Sequence, residues 1–387
     1  MRTVLLFIFL PFYFSFAQTI KGTVVNDADH RIPNVNIYID GTKIGTTSKE
    51  DGSFIIELPS RNKGSLVFQK EDYETFTTDI SKVYGKTLKV VLIKTAEIEE
   101  VQLIPYTEEA YKNHIYTFLS NFIGSDKENV KIKNQRTLKF AYDKKNNFLS
   151  VKAPKTLIIE NKKLGYEIEY NLINFSLDYN TNMVNFTGTS FFRETKNTDK
   201  TRLNRMNAYE GSLLHFFRSA YHNKVHDAGF VVNKVIKVPN PKYPTESELK
   251  LLREFLSTFK PSGNFKIPDN ISDISQRKNK EKPYGMAIVK MNIPESDYIK
   301  KSDGRIFLEF PDVLQVKFLK YNYEIQNKEF IKTKTPVGQQ SYLYIEGQSF
   351  EIYDSGNTSD PDLLINQGDF STNRIENMLP LDYQLGD

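Results

Sequence analysis

The sequence of 387 residues predicts a mainly β protein in two parts. An antiparallel β-sandwich is predicted over residues 18–103, and an α+β domain rich in antiparallel sheet over residues 104–387. Two observations predict this class. The first hundred residues contain short alternating apolar and polar segments separated by turn residues, without a helical pattern between them. Beyond Pro105, segments with apolar residues at helical spacing interrupt further strand patterns.

The first 17 residues have the features of a signal peptide. Arg2 precedes an apolar run from Val4 to Phe16, which is shorter than the about 20 residues that cross a bilayer. The small residues Ser15 and Ala17 favour cleavage before Gln18 over the alternative, a short membrane anchor. We therefore expect an exported protein, in the periplasm or associated with the outer membrane or cell surface. We expect no transmembrane segment in the mature chain.

Composition excludes several kinds of site. The chain has no cysteine, which excludes disulfides, thiolate metal sites and a cysteine nucleophile. The net charge of +4 is mild and predicts no nucleic-acid partner. The densest basic run, Gln276–Lys282, is typical of a solvated loop rather than of a polyanion site.

The predicted strands of the first domain follow one another closely. Val35, Ile37 and Ile39 alternate with Asn34, Asn36 and Tyr38, as in a half-buried strand whose second set of side chains points outward. Asp51-Gly52 predicts a tight hairpin turn. Phe54, Ile56 and Leu58 then alternate, and residues 64–80 and 86–94 supply the last strands. Short strands without a helix between them predict a small antiparallel sandwich.

This stretch resembles the carboxypeptidase regulatory-like domain, a transthyretin-like β-sandwich, over about Thr19 to Leu103. The matching residues are Gly22, Ile32-Pro33, Gly41-Thr42, Gly45-Thr46-Thr47, Asp51-Gly52-Ser53-Phe54 and Tyr73-Glu74. Lys49 and Asp72 depart from the family pattern, which often has an acidic residue and a glycine there. The segment Glu97–Ile104, EIEEVQLI, resembles the one that often follows this domain in outer-membrane transporters.

The second domain combines helices and strands. A helix is predicted from Glu108, with Ala110, Ile115, Phe118 and Phe122 on its apolar face. One long helix is predicted over residues 200–224 with an apolar stripe of Leu203, Met206, Leu213, Phe217 and Ala220. Thr245 and Glu248 form a capping-box pattern that begins another helix. A polar loop is predicted over about Lys260 to Pro283, and the remaining segments are strands.

Nearly the whole chain is similar to an uncharacterised family of exported bacterial proteins that contain the regulatory-like domain. The similar residues are Leu157–Tyr170, Tyr209-Glu210-Gly211-Ser212, His215-Phe216, Arg218-Ser219, Gly229-Phe230 and Asn373–Tyr383. The resemblance implies export and this architecture, and it implies no chemistry.

The sequence predicts no enzymatic activity and no cofactor. A zinc carboxypeptidase needs a histidine and a glutamate three residues apart, and none of the five histidines is followed by such a glutamate. HExxH, GxSxG and a complete phosphate-binding loop are also absent from the sequence. The regulatory-like domain therefore does not bring peptidase activity with it.

Two weaker candidates for chemistry lie between residues 205 and 227. His222 and His226 are four residues apart, which on a helix suits zinc, and His215 lies near that face. Arg218 shares the face and would repel a cation, so we predict no metal site. Ser212 and His215 are three apart, but a nucleophilic serine also needs an oriented base and an oxyanion hole.

The sequence thus predicts a non-catalytic, exported protein of the cell envelope that binds or scaffolds an unknown protein or glycan. One alternative is an unrecognised hydrolase with its site around His215 and Arg218. A second is an accessory protein of an outer-membrane transporter, which the resemblance of EIEEVQLI suggests.

Overall fold

A computed structural model describes residues 18–58, 63–95, 104–258, 267–345, 347 and 349–387. The expected signal peptide and residues 97–103 of the EIEEVQLI segment lie outside this part of the chain. The mainly β class is confirmed, with several antiparallel sheets and five α-helices in the described residues. No helix in the described ranges is long and apolar enough to cross a membrane.

The predicted N-terminal β-sandwich is confirmed. One sheet has the order β4-β1-β7 and the other β3-β2-β5-β6. The strands are β1 (Gln18–Asn26), β2 (Asn36–Ile39), β3 (Gly45–Thr47), β4 (Ser53–Leu58), β5 (Ser65–Gln69), β6 (Phe76–Asp79) and β7 (Thr87–Leu92). Between the sheets, the Phe54 ring packs edge-on against Phe68 at 5.3 Å. As the alternation predicted, Ile56 and Leu58 are also buried.

Two details of the sandwich differ from the prediction. β7 pairs with β1 in parallel, so this sheet is not wholly antiparallel. The turn at Asp51-Gly52 is present, with a φ of 72° at Gly52, but it is not a hairpin. It leads from β3 in one sheet to β4 in the other, because β4 takes β1 as its neighbour.

A six-stranded antiparallel sheet and helix α1 (Glu108–Phe122) form the next unit. Its strands are β8 (Val130–Ile132), β9 (Lys139–Asp143), β10 (Phe148–Lys152), β11 (Leu157–Asn161), β12 (Tyr166–Asp178) and β13 (Met183–Glu194). β11 and β10 pair with successive halves of β12, and β13 pairs along its other side as an edge strand. Phe118 and Phe122 of α1 are fully buried on this sheet, as their spacing predicted.

The long helix predicted over residues 200–224 is wrong. The chain forms α2 (Asp199–Tyr209) and α3 (Leu213–Tyr221), separated at Glu210–Ser212. Gly211 has a φ of +68°, which ends the helix, and a Cβ there would lie 2.6 Å from a Phe318 ring carbon. Ser212 then caps α3, since its side chain accepts from the backbone N–H of His215 at 3.1 Å.

The C-terminal region is built on a five-stranded antiparallel sheet with the order β15-β14-β18-β21-β23. Its strands are β14 (Phe230–Pro239), β15 (Tyr284–Lys290), β18 (Val313–Lys320), β21 (Val337–Ile345) and β23 (Leu364–Gly368). β16 (Ile299–Ser302), β17 (Arg305–Leu308) and β22 (Phe350–Ile352) form a smaller sheet, and β19 (Tyr323–Gln326) pairs with β20 (Glu329–Lys332). Phe216 and Phe217 of α3 belong to the core of this region.

The described residues between β14 and β15 form two helices. The predicted capping box is confirmed at α4 (Glu246–Thr258), where the Thr245 N–H donates to the Glu248 carboxylate at 2.7 Å. The polar loop predicted over about Lys260 to Pro283 is wrong at Asp269–Lys280, which forms α5, and its residues 260–266 lie outside the described ranges. Ile271 and Ile274 of α5 pack on Leu252 of α4 in a small core of their own. We call residues 235–258 and 267–291, meaning the end of β14 that extends beyond β18, the two helices and β15, the arm.

The sandwich is docked on the six-stranded sheet through the loop that follows β2. The Gly41 N–H donates to the Ser190 carbonyl at 2.7 Å, and the Phe192 N–H donates to the Thr42 carbonyl at 3.0 Å. Tyr38, whose position in β2 predicted an outward side chain, is 1% exposed because it packs on Phe191 of β13. We call these contacts between the sandwich and β13 the junction.

Candidate functional site

The histidine pair predicted as a possible zinc face does not share a helix. α3 ends at Tyr221, so His222 is its C-cap residue and His226 lies beyond it. The His222 Nε2 lies 2.9 Å from an oxygen of Asp354, and the His226 Nδ1 lies 3.7 Å from an oxygen of Glu295. Each ring therefore has its own carboxylate. Among the described residues, no three His, Asp or Glu side chains are arranged to hold a metal ion.

His215 is enclosed by aromatic rings. Its ring centroid lies 4.8 Å from that of Tyr209, 5.0 Å from Phe230 and 5.8 Å from Phe318. Burial lowers the pKa of His215 to about 4, so the ring is neutral near pH 7. Its Nδ1 accepts a hydrogen bond from the Gly211 N–H at 3.2 Å.

The Ser212 hydroxyl is used for helix capping. It accepts from the backbone N–H of His215, and no hydrogen bond joins it to the imidazole among the contacts of these residues. The i to i+3 spacing of Ser212 and His215 therefore has a structural cause, the capping of α3. This arrangement is not that of an activated serine, which needs its hydroxyl hydrogen-bonded to a base.

Two arginines near the α2–α3 turn bind backbone carbonyls. Arg205 is fully buried and donates to the carbonyls of Leu164 and Lys196 at 2.7 and 2.8 Å. It also donates to the Glu194 carboxylate at 2.5 Å and lies 4.2 Å from the ring of Tyr166. Two carbonyls and a carboxylate thus satisfy a buried guanidinium, which is the condition for burying this charge.

Arg218 holds the last residues of the chain in place. Its three nitrogens donate to the carbonyls of Ser355, Tyr383 and Leu381 at 3.0, 2.9 and 3.0 Å. Its guanidinium also lies 5.5 Å from the centroid of the Tyr209 ring. The C-terminal segment in turn reaches the sandwich, where the Leu381 N–H donates to the Gly41 carbonyl at 2.6 Å. The polar stretch from Tyr209 to Arg218 therefore joins the C-terminal segment to the rest of the fold.

Two shallow depressions lie on either side of Ile293–Asp297. One, of about 310 Å³, is lined by the ion pair of Lys234 with Asp312, whose atoms are 3.2 Å apart, and by apolar residues such as Phe310. The other, of about 550 Å³ and wide open, is lined by His226, Asp227 and Glu295 among others. The Glu295 carboxylate accepts from the His226 backbone N–H at 3.1 Å, so part of this rim is tied to its own backbone.

The arm exposes an unusual number of large apolar side chains. On β15 the exposed fractions are 54% for Tyr284, 40% for Met286, 44% for Ile288 and 54% for Val289. β15 pairs with β14 alone, so its other backbone edge is not paired within the described chain. This surface was not predicted, because the residues before β15 were expected to form a polar loop. The signal was available in YGMAIVK, which has no charge before Lys290.

The outer face of the sheet β4-β1-β7 is a second exposed surface. It presents Ile55 of β4, which is 57% exposed, and Val91 of β7, which is 45% exposed. In the strand registers, Ile55 lies opposite Lys21 and Val91 lies opposite Val25, which is itself only 1% exposed. Lys89 of β7 lies between these two positions, opposite Thr23. The other sheet of the sandwich makes the junction, so this face points away from it.

Comparison with known proteins assigns the first domain. Residues 20–103 match the family of CarboxypepD_reg-like domains. A stretch of 92 residues, 23% of this chain, is 39% identical to part of the TonB-dependent receptor P3 of Formosa agariphila. The match covers 9% of that receptor's length. The chain therefore contains a CarboxypepD_reg-like domain, as the sequence predicted, and this domain type is regulatory and non-catalytic.

Proposed function

We propose that this chain is a non-catalytic, exported protein of the cell envelope that binds an outer-membrane transporter as an accessory or scaffold. The observation that carries the proposal is the domain at residues 20–103, a type that a TonB-dependent receptor also contains. The regulatory character of this domain type supports binding rather than catalysis.

The uses of the polar side chains also support binding. The residues that would serve a hydrolase are engaged elsewhere: Ser212 caps α3, His215 is enclosed by rings, and Arg218 binds three carbonyls. Metal analysis of the purified protein tests the competing hydrolase hypothesis directly. One zinc ion per chain, lost on His222→Ala, would favour the hydrolase and count against our proposal.

The outer face of the sandwich is the surface that we assign to the transporter. It belongs to the domain that carries the similarity, it points away from the junction, and it exposes Ile55 and Val91. The same face exposes Lys21 and Lys89 alongside these two side chains, so a partner would meet a mixed apolar and polar surface. An apolar-to-charged change there should remove the interaction without unfolding the chain.

The test is co-purification from detergent-solubilised envelopes of the native bacterium, with the full chain as bait. We expect the wild-type chain to recover a barrel transporter, and the double variant Ile55→Lys, Val91→Lys to recover at least tenfold less. Ile173→Lys is the matched control, since Ile173 is 63% exposed on the six-stranded sheet. Recovery of no envelope protein by the wild type, or equal recovery by the double variant, would overturn the proposal.

A further inference from the structure

The basic run Gln276–Lys282, which was expected to be a solvated loop, forms the last turn of α5 and the connection to β15. Arg277 of this run pairs with two acidic side chains of the arm, Glu248 and Asp273. Three exposed lysines of the run have no carboxylate within 4 Å among the described residues: Lys278, Lys280 and Lys282. No ion pair within the described arm therefore neutralises these three charges.

A fourth lysine, Lys242, is held next to this run by Asn240. The Asn240 side chain donates to the Lys282 carbonyl at 2.9 Å and to the Glu281 carboxylate at 3.1 Å. Its Oδ1 accepts from the backbone N–H of Lys242 at 3.0 Å. Lys242 is also exposed, and the described part of the chain places no carboxylate within 4 Å of it. We call these four lysines the lysine cluster. Glu281 is the one acidic residue bound next to them, so the cluster is net positive.

The two-stranded end of the arm beside the lysine cluster exposes apolar side chains on both faces. β14 pairs with β18 only as far as Val235, so residues 236–239 pair with residues 284–287 alone. Tyr284 and Met286 lie on one face and are 54% and 40% exposed. Val238, which pairs with Gly285, lies on the opposite face and is 40% exposed. Apolar surface therefore surrounds this end of the ribbon.

We propose that the arm binds the surface of an anionic lipid membrane. The lysine cluster contacts the phosphate groups of the lipids, and Tyr284, Met286 and Val238 enter the boundary between headgroups and acyl chains. This inference goes beyond the proposed function and does not depend on it. Lysines near a negatively charged leaflet and apolar side chains beside them are the two parts of interfacial membrane binding.

Two features favour a membrane over an acidic protein. A protein that packs on one face of the ribbon leaves the apolar side chains of the other face in water, whereas an element that enters a lipid surface is surrounded by it. The lysine stems also lie next to apolar side chains. Lysine at a membrane boundary buries its stem among the lipids and keeps its ammonium group among the phosphates, and tyrosine is enriched at the same depth.

Co-sedimentation of the full chain with phosphatidylcholine vesicles, with and without phosphatidylglycerol, is the experiment. We expect binding to the vesicles that contain phosphatidylglycerol and little binding to the others. The variant Lys278→Glu, Lys280→Glu, Lys282→Glu should bind the anionic vesicles at least about tenfold more weakly, since each lysine adds to the attraction. A matched variant changes the net charge equally at three exposed lysines outside the arm and should bind like the wild type: Lys112→Glu, Lys144→Glu, Lys145→Glu.

A second variant separates insertion into lipid from attraction between charges alone. Tyr284→Ser, Met286→Ser should fold like the wild type, which thermal unfolding without lipid checks, because both side chains are exposed. Salt should release this variant from anionic vesicles while part of the wild type stays bound, since salt screens charges and leaves apolar contacts. No binding by the wild type, equal binding to both kinds of vesicle, or equal losses in the two lysine variants would overturn the proposal. Identical release of wild type and serine variant by salt would instead indicate a site for an acidic protein, and would overturn it too.

Discussion

Strands β13 and β15 are both edge strands of antiparallel sheets, and the fold treats them differently. The outer edge of β13 is covered by the sandwich, whose loop at Asp40–Thr42 exchanges backbone hydrogen bonds with Ser190 and Phe192. The outer edge of β15 has no such cover within the described chain, and its exposed side chains are apolar.

The difference indicates what the sandwich does for the rest of the molecule. An uncovered strand edge pairs readily with other chains, and proteins protect such edges with charges, bulges or covering loops. Here the sandwich supplies the covering loop for β13, and Arg218 holds the C-terminal segment that closes the same region. One face of the sandwich is thus used internally, whereas its outer face and β15 are exposed in the described chain.

The largest expected effect at the junction comes from Gly41→Ala. Gly41 has a φ of +74°, and an added Cβ would lie 2.6 Å from a methyl carbon of Leu381. The backbone conformation costs about 1–2 kcal/mol and the overlap about 1–3 kcal/mol, so we expect the free energy of unfolding to fall by about 2–5 kcal/mol. Urea denaturation measures this loss.

Gly85→Ala is the matched control in the same sandwich. Gly85 has a φ of +67°, but a Cβ there would meet nothing within 4 Å. Only the backbone cost of about 1–2 kcal/mol applies to it. Equal losses in the two variants would mean that contact with the C-terminal segment contributes nothing to the junction.

Asp40 makes the stability of the junction depend on pH. Its carboxylate accepts from the Ser190 N–H at 2.7 Å, and burial raises its pKa from 3.8 to about 6. Because the folded pKa is the higher one, the folded chain holds this proton more tightly. The stabilisation of the folded chain by protonated Asp40 is therefore complete below about pH 4 and is lost as the pH rises through about 6.

Asp40→Asn should remove this dependence. A rise in pKa from 3.8 to about 6 corresponds to about 3 kcal/mol, so between pH 4 and pH 7 the wild type should lose up to that much more unfolding free energy than the variant. Denaturation curves of both proteins at several pH values measure the difference. Parallel pH profiles would show that the carboxylate is not desolvated at the junction.

Tyr38→Phe should have a smaller effect. The Tyr38 hydroxyl lies 3.1 Å from the Thr189 hydroxyl and 3.3 Å from the Gln69 amide oxygen, all in buried surroundings. Removing it should cost about 1 kcal/mol, the usual net value of such a hydrogen bond. Tyr116→Phe, at a position 74% exposed on α1, should change the unfolding free energy far less. If Tyr38→Phe lowered the unfolding free energy no more than Tyr116→Phe does, the Tyr38 hydroxyl would make no stabilising hydrogen bond at the junction.

Local patterns predicted most of the fold. The alternation of Phe54, Ile56 and Leu58 and the helical spacing of Phe118 and Phe122 both identified buried faces, because each pattern reports one face of one element. The capping box at Thr245 was equally local. The break between α2 and α3 at Gly211 was not predicted. A glycine within a helical pattern weakens the prediction of a helix, but the apolar stripe continues on both sides of Gly211 and favoured one long helix.

Contacts between distant segments could not be predicted in this way. Tyr38 was assigned to the outer face of its strand, and it is buried only because Thr189 and Phe191 of β13 pack on it. Ser212 caps α3, which depends on where that helix begins, and Arg218 binds the distant C-terminal segment. Neither role can be seen in the local sequence, where a serine and an arginine near a histidine suggested a catalytic site. α5 was missed because Ile271 and Ile274 are its only buried residues.

The smallest expected effect on folding is that of Ile288→Lys at the unpaired edge strand β15. Ile288 is 44% exposed and lies on the outward side of β15, so Ile288→Lys should change the unfolding free energy by no more than about 0.5 kcal/mol. Val316→Lys is the contrasting variant in the same sheet, since Val316 is 2% exposed on a central strand and a buried unpaired charge is strongly destabilising. Thermal unfolding at low protein concentration measures both. A loss above about 2 kcal/mol for Ile288→Lys would mean that another part of the chain covers β15, and the contrast between the two edges would then fail.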